Sequence, residues 1–274
     1  MELPEKTATK FSVLVGGTVF GLEFRGKFPF AALGEVYAPF LTRRRPRYCF
    51  QVSAQAADTA RGADERFSFV FEKSRYTIRS GIVRAVLDER SQKAEVGFCP
   101  EVPAEAMISV LTNLMMVVLS GKGCLFFHAC GIADKDRAYV FVGRSGAGKS
   151  TVAGFSQHAT VLSEELVGIM AARKGPGAFA VPYAGDRRFS RRSNRSYALA
   201  GMYSLVKDTK NAVIAVPKPE ALAEFYIFPP AVGAGRMLDK HLALYGSLIR
   251  STECFRLHFL PDKTFWRCIH AYGN

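Results

Sequence analysis

The stretch AYVFVGRSGAGKSTVAGF, residues 138–155, decides how the second half of this chain folds. AYVFV is an apolar run of strand length, rich in aromatic and β-branched residues. Gly143, Arg144, Ser145, Gly146, Ala147, Gly148, Lys149 and Ser150 then fill G-x-x-x-x-G-K-[ST] at every defined position, and KSTVAGF opens a helix. Each residue type there has a physical purpose. Glycine lets the backbone turn its amides inward around phosphate. The following helix aims its positive end at the same place. Lys149 can reach the terminal phosphates, and the Ser150 hydroxyl can ligate Mg²⁺. The expectation is a strand–loop–helix that cradles ATP and Mg²⁺ with residues Gly143 to Thr151.

A metal-assisted phosphate site also calls for a carboxylate at the end of a neighbouring strand. TVLSEE, residues 160–165, supplies Glu164 and Glu165 a short distance past the loop, and Thr160–Leu162 reads as a central strand. His128 lies in LFFHACGI, within an apolar stretch GCLFFHACGIA read as one buried strand. That strand is expected to pair with AYVFV through the turn ADKDR. A site role for His128 competes with that of an ordinary core histidine.

H-A-C-G-I, a short turn, A-Y-V-F-V-G-R-S-G-A-G-K-S-T and then L-S-E-E together resemble the HPr serine kinase/phosphorylase family. Phosphoenolpyruvate carboxykinases share its nucleotide-binding core. The closing CFRLHFLPDKTFW is similar to the end of these relatives, so the resemblance spans roughly residues 105–274. It implies a P-loop kinase domain of the HPr kinase/phosphoenolpyruvate carboxykinase type. It places His128 beside the γ-phosphate, with Lys149 and Ser150 on phosphate and Mg²⁺. Glu164 and Glu165 fall where the family usually carries two Asp. One carboxylate, Glu164 by preference, is then the base toward an acceptor hydroxyl, and Glu165 helps to hold Mg²⁺. The implied activity is ATP-dependent transfer to a hydroxyl, foremost a serine of a peptide or protein, with a small-molecule acceptor also open. Nothing in the chain reads the base, so GTP or pyrophosphate as donor stays open too. Two alternatives stand beside it: a nucleotide-binding regulator without transfer activity, and an NTPase working on nucleic acid.

The rest of the chain frames this core. The first hundred residues alternate short apolar runs with polar turns, beginning with FSVLVGGTVFGLEF, whose Gly16–Gly17 marks a hairpin. RYCFQVSA, RFSFVFEKS, YTIRSGIVRAVLD and KAEVGFCP read as further strands. At Pro100–Pro103 the pattern changes, and Ala106–Ser120 reads as a buried helix, short of the ~20 residues of a membrane span. Strands then alternate with helices to the end. The expected fold is α+β overall: a β-rich domain over residues 1–104 that recognises a partner, then an α/β nucleotide-binding domain over residues 105–274.

Lys and Arg outnumber Asp and Glu by 37 to 24, a formal charge of +13. Such a field favours anionic partners without selecting nucleic acid, which the sparse aromatic interleaving makes a poor choice. GDRRFSRRSNRSY carries the densest basic run. Arg187, Arg188 and Arg191 in it are candidates for an anionic substrate near the nucleotide site, against a solvated loop. Arg43-Arg44-Arg45-Pro46-Arg47 reads as a solvated turn. The 6 cysteines sit mostly in apolar runs, and MELPEKTATK has no apolar signal core, so a reducing cytoplasm is expected. Cys254 and His258, four apart on a strand, stand about 13 Å from each other and cannot share one Zn²⁺. The sequence leaves a homo-oligomer open.

Overall fold

Two large mixed sheets organise the chain in a computed structural model that describes residues 8–55, 67–171, 175–183, 185, 193–226 and 236–272. The first sheet is built from β1 (Ala8–Val15), β2 (Thr18–Arg25), β3 (Leu41–Thr42), β4 (Tyr48–Ala54), β5 (Ser68–Glu72), β6 (Arg75–Arg79), β7 (Val83–Asp88) and β8 (Lys93–Phe98). Its order is β3-β1-β2-β4-β8-β7-β6-β5. β1 and β2 form the expected hairpin, with Gly16 and Gly17 at φ 52° and 73°, a pair of left-handed residues that fits a two-residue turn. β4 lies parallel to both β2 and β8. In β4 the period-2 alternation puts Tyr48, Phe50 and Val52 inside and Gln51 and Ser53 outside.

Helix α1 (Phe30–Tyr37) carries the chain between β2 and β3 and buries Phe30, Leu33, Val36 and Tyr37 on one face. The sequence reading passed over it, because FAALGEVY is short and contains Gly34. The reading also took YTIRSGIVRAVLD as one strand; the backbone instead turns back at Ser80–Gly81 and makes the β6–β7 hairpin.

Helix α2 (Ala104–Gly121) confirms the helix read at Ala106–Ser120 and extends it to 18 residues. By length and composition it is apolar enough to cross a membrane, with mean hydropathy 1.6, yet 67% of it is buried inside the protein, the pattern of a core helix. It belongs with the first sheet. Lys122, at its C-terminal end, donates to Thr18 Oγ1 at 2.8 Å and stands 5.0 Å over the Tyr48 ring. The described residues form two compact units, those within 8–122 with 182–183 and 236–238, and those within 123–181 with 185–226 and 239–272, so the first boundary along the chain falls at Lys122/Gly123. The prolines at 100–103 mark the change from strand to helix, not a change of unit.

The second unit holds β9 (Cys124–Phe127), β10 (Ala129–Asp134), β11 (Arg137–Val142), α3 (Lys149–Phe155), β12 (Thr160–Ser163), β13 (Val167–Met170) and β14 (Gly177–Ala180). β15 (Ser196–Lys207), β16 (Ala212–Ala215), α4 (Lys218–Glu224), α5 (Arg236–Ser251), β17 (Cys254–Phe259) and α6 (Phe265–Tyr272) follow. The sheet runs β12-β10-β11-β15-β14-β13-β9, with β17 on β15 and β16 on β17. Its centre is parallel: β15 pairs with β11 and β17 in the same direction. On one face Phe141, Tyr203, Leu205, Phe255, Leu257 and Phe259 pack with α3 and α6. Trp266 Nε1 donates to Ser156 Oγ at 3.0 Å, tying α6 to the end of α3. The alternate residues Ser204 and Arg256 face the other side, where both bond Glu224 of α4.

Candidate active site

Strand β11 delivers the glycine-rich loop from the middle of the second sheet. Val142 is buried, and the chain leaves it at Gly143 for an exposed tip of Arg144, Ser145 and Gly146 before α3 starts at Lys149. Two glycines are required by geometry. Gly148 has φ 114°, and a Cβ there would stand 3.0 Å from the buried Phe259 ring. Gly143 has ordinary φ, but a Cβ would meet that of Ala147 at 2.7 Å. Gly146, at φ 77°, faces open space. The loop closes on itself through Ala147 N donating to Arg144 O at 3.0 Å.

Lys149 is buried, and its ammonium donates to Gly143 O at 2.9 Å and to Arg144 O at 3.4 Å. The cation thus sits under the loop, bonded to the loop's own carbonyls. Ser150 is exposed and Thr151 half-buried.

His128 is not a residue in the middle of a buried strand. The stretch GCLFFHACGIA breaks there into β9, paired with β13, and β10, paired with β11 and β12. The side chain at the break is 48% exposed, and its Nδ1 lies 3.3 Å from Glu165 Oε2. β12 is likewise the edge strand rather than a central one. Its end is held by Ser163 Oγ, which accepts from the backbone N–H of Glu165 at 3.0 Å and of Leu166 at 2.7 Å. The two glutamates then part company: Glu164 is buried at 6% exposure, while Glu165 turns to His128.

The register brings these pieces to one end of the sheet. Ala129 pairs with Val142 on one side, and its N–H donates to Glu165 O at 3.1 Å on the other. The backbone of Glu165 is therefore two strand spacings, about 10 Å, from the start of the glycine loop. Gly131 permits the close approach of this edge, since a Cβ there would lie 2.8 Å from Val167 Cγ2.

Arg187, Arg188 and Arg191 lie outside the described residues. The anchors of their segment are visible: Arg195 bonds Asp136 in the β10–β11 turn at 3.3 Å and stacks over Tyr197 at 5.3 Å. β15 enters the sheet beside Arg137, six residues of strand from Gly143 and about 20 Å away. β14, which precedes the segment, ends at Ala180 paired with Val167, itself paired with Phe127, the neighbour of His128. The Arg43–Arg47 turn has its arginines exposed, as read. All six cysteines are free. His258 bonds Asp208, and His270 pairs with Asp134, so the closing Cys and His residues take separate partners. Among the described residues no group of three or more His, Cys, Asp or Glu could hold a metal ion by itself.

Sequence reasoning missed Phe259 as the wall behind the loop. Its signal was present in CFRLHFL, where Phe255, Leu257 and Phe259 repeat every second residue and mark the buried face. The chain matches no protein-family model, and no curated protein sequence matches it.

Proposed function

We propose that the second unit binds ATP with Mg²⁺ at Gly143–Thr151 and transfers a phosphoryl group to a hydroxyl, foremost a serine of a peptide or protein. This is a P-loop kinase of the HPr kinase type, working in the reducing cytoplasm that six free thiols suit. The observation that carries the reading is the His128–Glu165 pair, open to solvent and two strands from a loop that fills the whole phosphate-binding motif.

The residues fit the group. The exposed loop tip leaves backbone amides free to turn around anionic oxygens, and the Ser150 hydroxyl stands at the first turn of α3, where a cation beside the phosphates would meet it. Bound Mg·ATP supplies the transferable group and the charge that screens it. Lys149 exchanges its bonds to Gly143 O and Arg144 O for phosphate oxygens. Glu165 accepts the proton of the acceptor hydroxyl, and His128 orients that carboxylate through the 3.3 Å contact. Buried Glu164 supports the end of β12 instead of meeting the acceptor. This assignment moves the base role from Glu164 to Glu165 and gives Glu164 no contact with acceptor or Mg²⁺.

The test is transfer of label from γ-labelled ATP to a panel of serine peptides, beside ATP-binding calorimetry. Glu165→Gln should keep ATP binding and lose at least ~10²-fold in transfer. Full transfer activity in Glu165→Gln overturns the assignment.

A regulator that binds ATP without transferring it is the second reading. It is favoured by Lys149 being bonded to its own loop. ATP binding with no turnover on any hydroxyl acceptor would select it.

A further inference from the structure

The outward face of the first sheet carries its charges in rows that the register lines up across the strands. One row runs through Arg25, Ser53, Gly97, Arg84 and Arg79, each paired with the next. Its three arginines are exposed, and it holds no acid. The next row, one pleat along, runs through Lys10, Glu23, Gln51, Glu95 and Val86.

Together the two rows set Lys10, Arg25, Arg79 and Arg84 against Glu23 and Glu95. Glu23 is held by Arg25 at 3.0 Å and faces Lys10 at 4.0 Å. The third row is balanced, with Lys93 and Arg75 beside Asp88 and Glu72. The surplus of positive charge therefore lies in the first row, at Arg84 and Arg79. These two stand directly opposite each other on β7 and β6, and neither guanidinium has an ion pair or hydrogen bond among the described residues. Like charges directly opposite on a sheet cost stability, and an anionic group lying across both relieves that repulsion.

The same row is hollow between Arg25 and Arg84. Gly97 has no side chain and Ser53 a short one, and a groove of about 380 Å³ lies there with both arginines in its lining. The Gln55 side chain occupies the space that a Cβ at Gly97 would need, which puts an amide on the groove wall. Glu95 is the acid in the lining, one row back from Arg84.

Spacing and composition select the occupant. Arg25 and Arg84 are three strand spacings apart, about 14 Å, with Arg79 one spacing further. On an extended peptide, side chains four positions apart point the same way at about 13 Å. Guanidinium forks bind carboxylates through two parallel bonds. No residue named in the two rows is aromatic, so the face offers no platform for the stacked bases of a single-stranded nucleic acid.

We propose that this face binds an extended acidic peptide laid across the strands, with carboxylates on Arg84 and Arg79 at one end of the groove and on Arg25 at the other. The site belongs to the first unit and does not depend on phosphoryl transfer by the second.

The experiment titrates the full chain at low ionic strength with hexaglutamate, hexaglutamine and a thymidine hexanucleotide, read by calorimetry. Hexaglutamate should bind saturably, at least about tenfold more tightly than either of the others, and should weaken as salt is added. Arg84→Gln and Arg79→Gln remove charge while keeping most of the side chain. Each should weaken hexaglutamate by about threefold to tenfold, and the double variant by more than about tenfold. Thermal melts check that these surface variants fold. Glu95→Gln should bind hexaglutamate more tightly, because it removes the acid from the groove. Arg44→Gln, an exposed arginine in the Arg43–Arg47 turn, should leave the affinity unchanged and so separates this row from the general positive charge of the chain. No saturable binding of hexaglutamate, equal binding of hexaglutamine or unchanged affinity in the double variant would each overturn the proposal. So would weaker binding by Glu95→Gln, a loss in Arg44→Gln equal to that in Arg84→Gln, or tighter binding of the hexanucleotide.

Discussion

Replacing Gly148 by alanine tests the loop where its shape is most constrained. The residue has φ 114°, outside the left-handed helical region that other residues occasionally visit, so a side chain there costs roughly 1–3 kcal/mol in backbone strain. The added Cβ would also stand 3.0 Å and 3.1 Å from two carbons of the Phe259 ring. That ring is buried among α3 and α6 residues and has little room to yield, which adds about 1–3 kcal/mol of overpacking. The sum, roughly 2–6 kcal/mol, corresponds to a fall in Tm of about 5–20 °C for a unit of this size. Gly146→Ala is the control: its φ of 77° carries strain, but nothing lies within 4 Å of the new Cβ. Thermal unfolding followed by circular dichroism should therefore show a markedly larger loss for Gly148→Ala than for Gly146→Ala. Adding Phe259→Leu should recover part of the Gly148→Ala deficit. Equal losses in the two single variants would refute the claim that Phe259 forms the wall of the loop.

Lys149→Ala should weaken ATP binding by at least about tenfold, the loss of one charge-assisted bond, as read by calorimetry; unchanged affinity would remove the loop from nucleotide binding. A double-mutant cycle on His128→Ala and Glu165→Gln should be strongly non-additive in transfer rate, because one 3.3 Å contact joins them. Independent effects would end their description as a pair. Glu224 tests the opposite face. Burial raises its pKa, but the bonds from Arg256 and the Ser204 hydroxyl outweigh burial, and the net pKa lies below the usual 4.5. A depressed carboxylate stabilises the fold above that usual value, and its contribution disappears as pH falls through the folded-state pKa. Glu224→Gln should lower Tm at neutral pH, with the gap to wild type closing in acid below about pH 4.5. A gap that widens in acid would contradict the sign.

The second sheet was legible wherever a strand or helix declared itself by local pattern. AYVFV, CFRLHFL and KTFWRCIHAY each carry their own period, and they became β11, β17 and α6. The edges were harder. A four-residue strand such as TVLS, with Val161 and Leu162 as its apolar pair, looks the same at the centre of a sheet or at its rim, since only the neighbours differ, and β12 proved to be the rim. The unit boundary was misplaced for a similar reason: α2 is apolar nearly all round, so its sequence shows that it is buried without showing against which sheet. The row of arginines on the first sheet left no local signal. Arg25, Arg79 and Arg84 stand on three different strands and line up only through the register of that sheet.

The break at His128 shows how the candidate site arises from topology. A continuous strand from Cys124 to Asp134 would keep one set of neighbours, and a histidine within it would point into packed side chains. β9 instead pairs with β13, while β10 takes β11 and β12, so the chain changes neighbours across a single residue. Glu165 follows β12 and precedes β13, at the corresponding changeover in the partner segment. The two changeovers meet, with Ala129 N bonded to Glu165 O on the backbone and His128 facing Glu165 through their side chains. A polar pair can lie open here, amid an otherwise apolar sheet, because neither residue has to fill a pleat. Since β10 also pairs with β11, the pair lies at the end of the sheet where the glycine loop begins. That placement follows from the backbone register, so Glu165→Gln and His128→Ala should alter transfer while leaving the unit's unfolding temperature close to that of wild type.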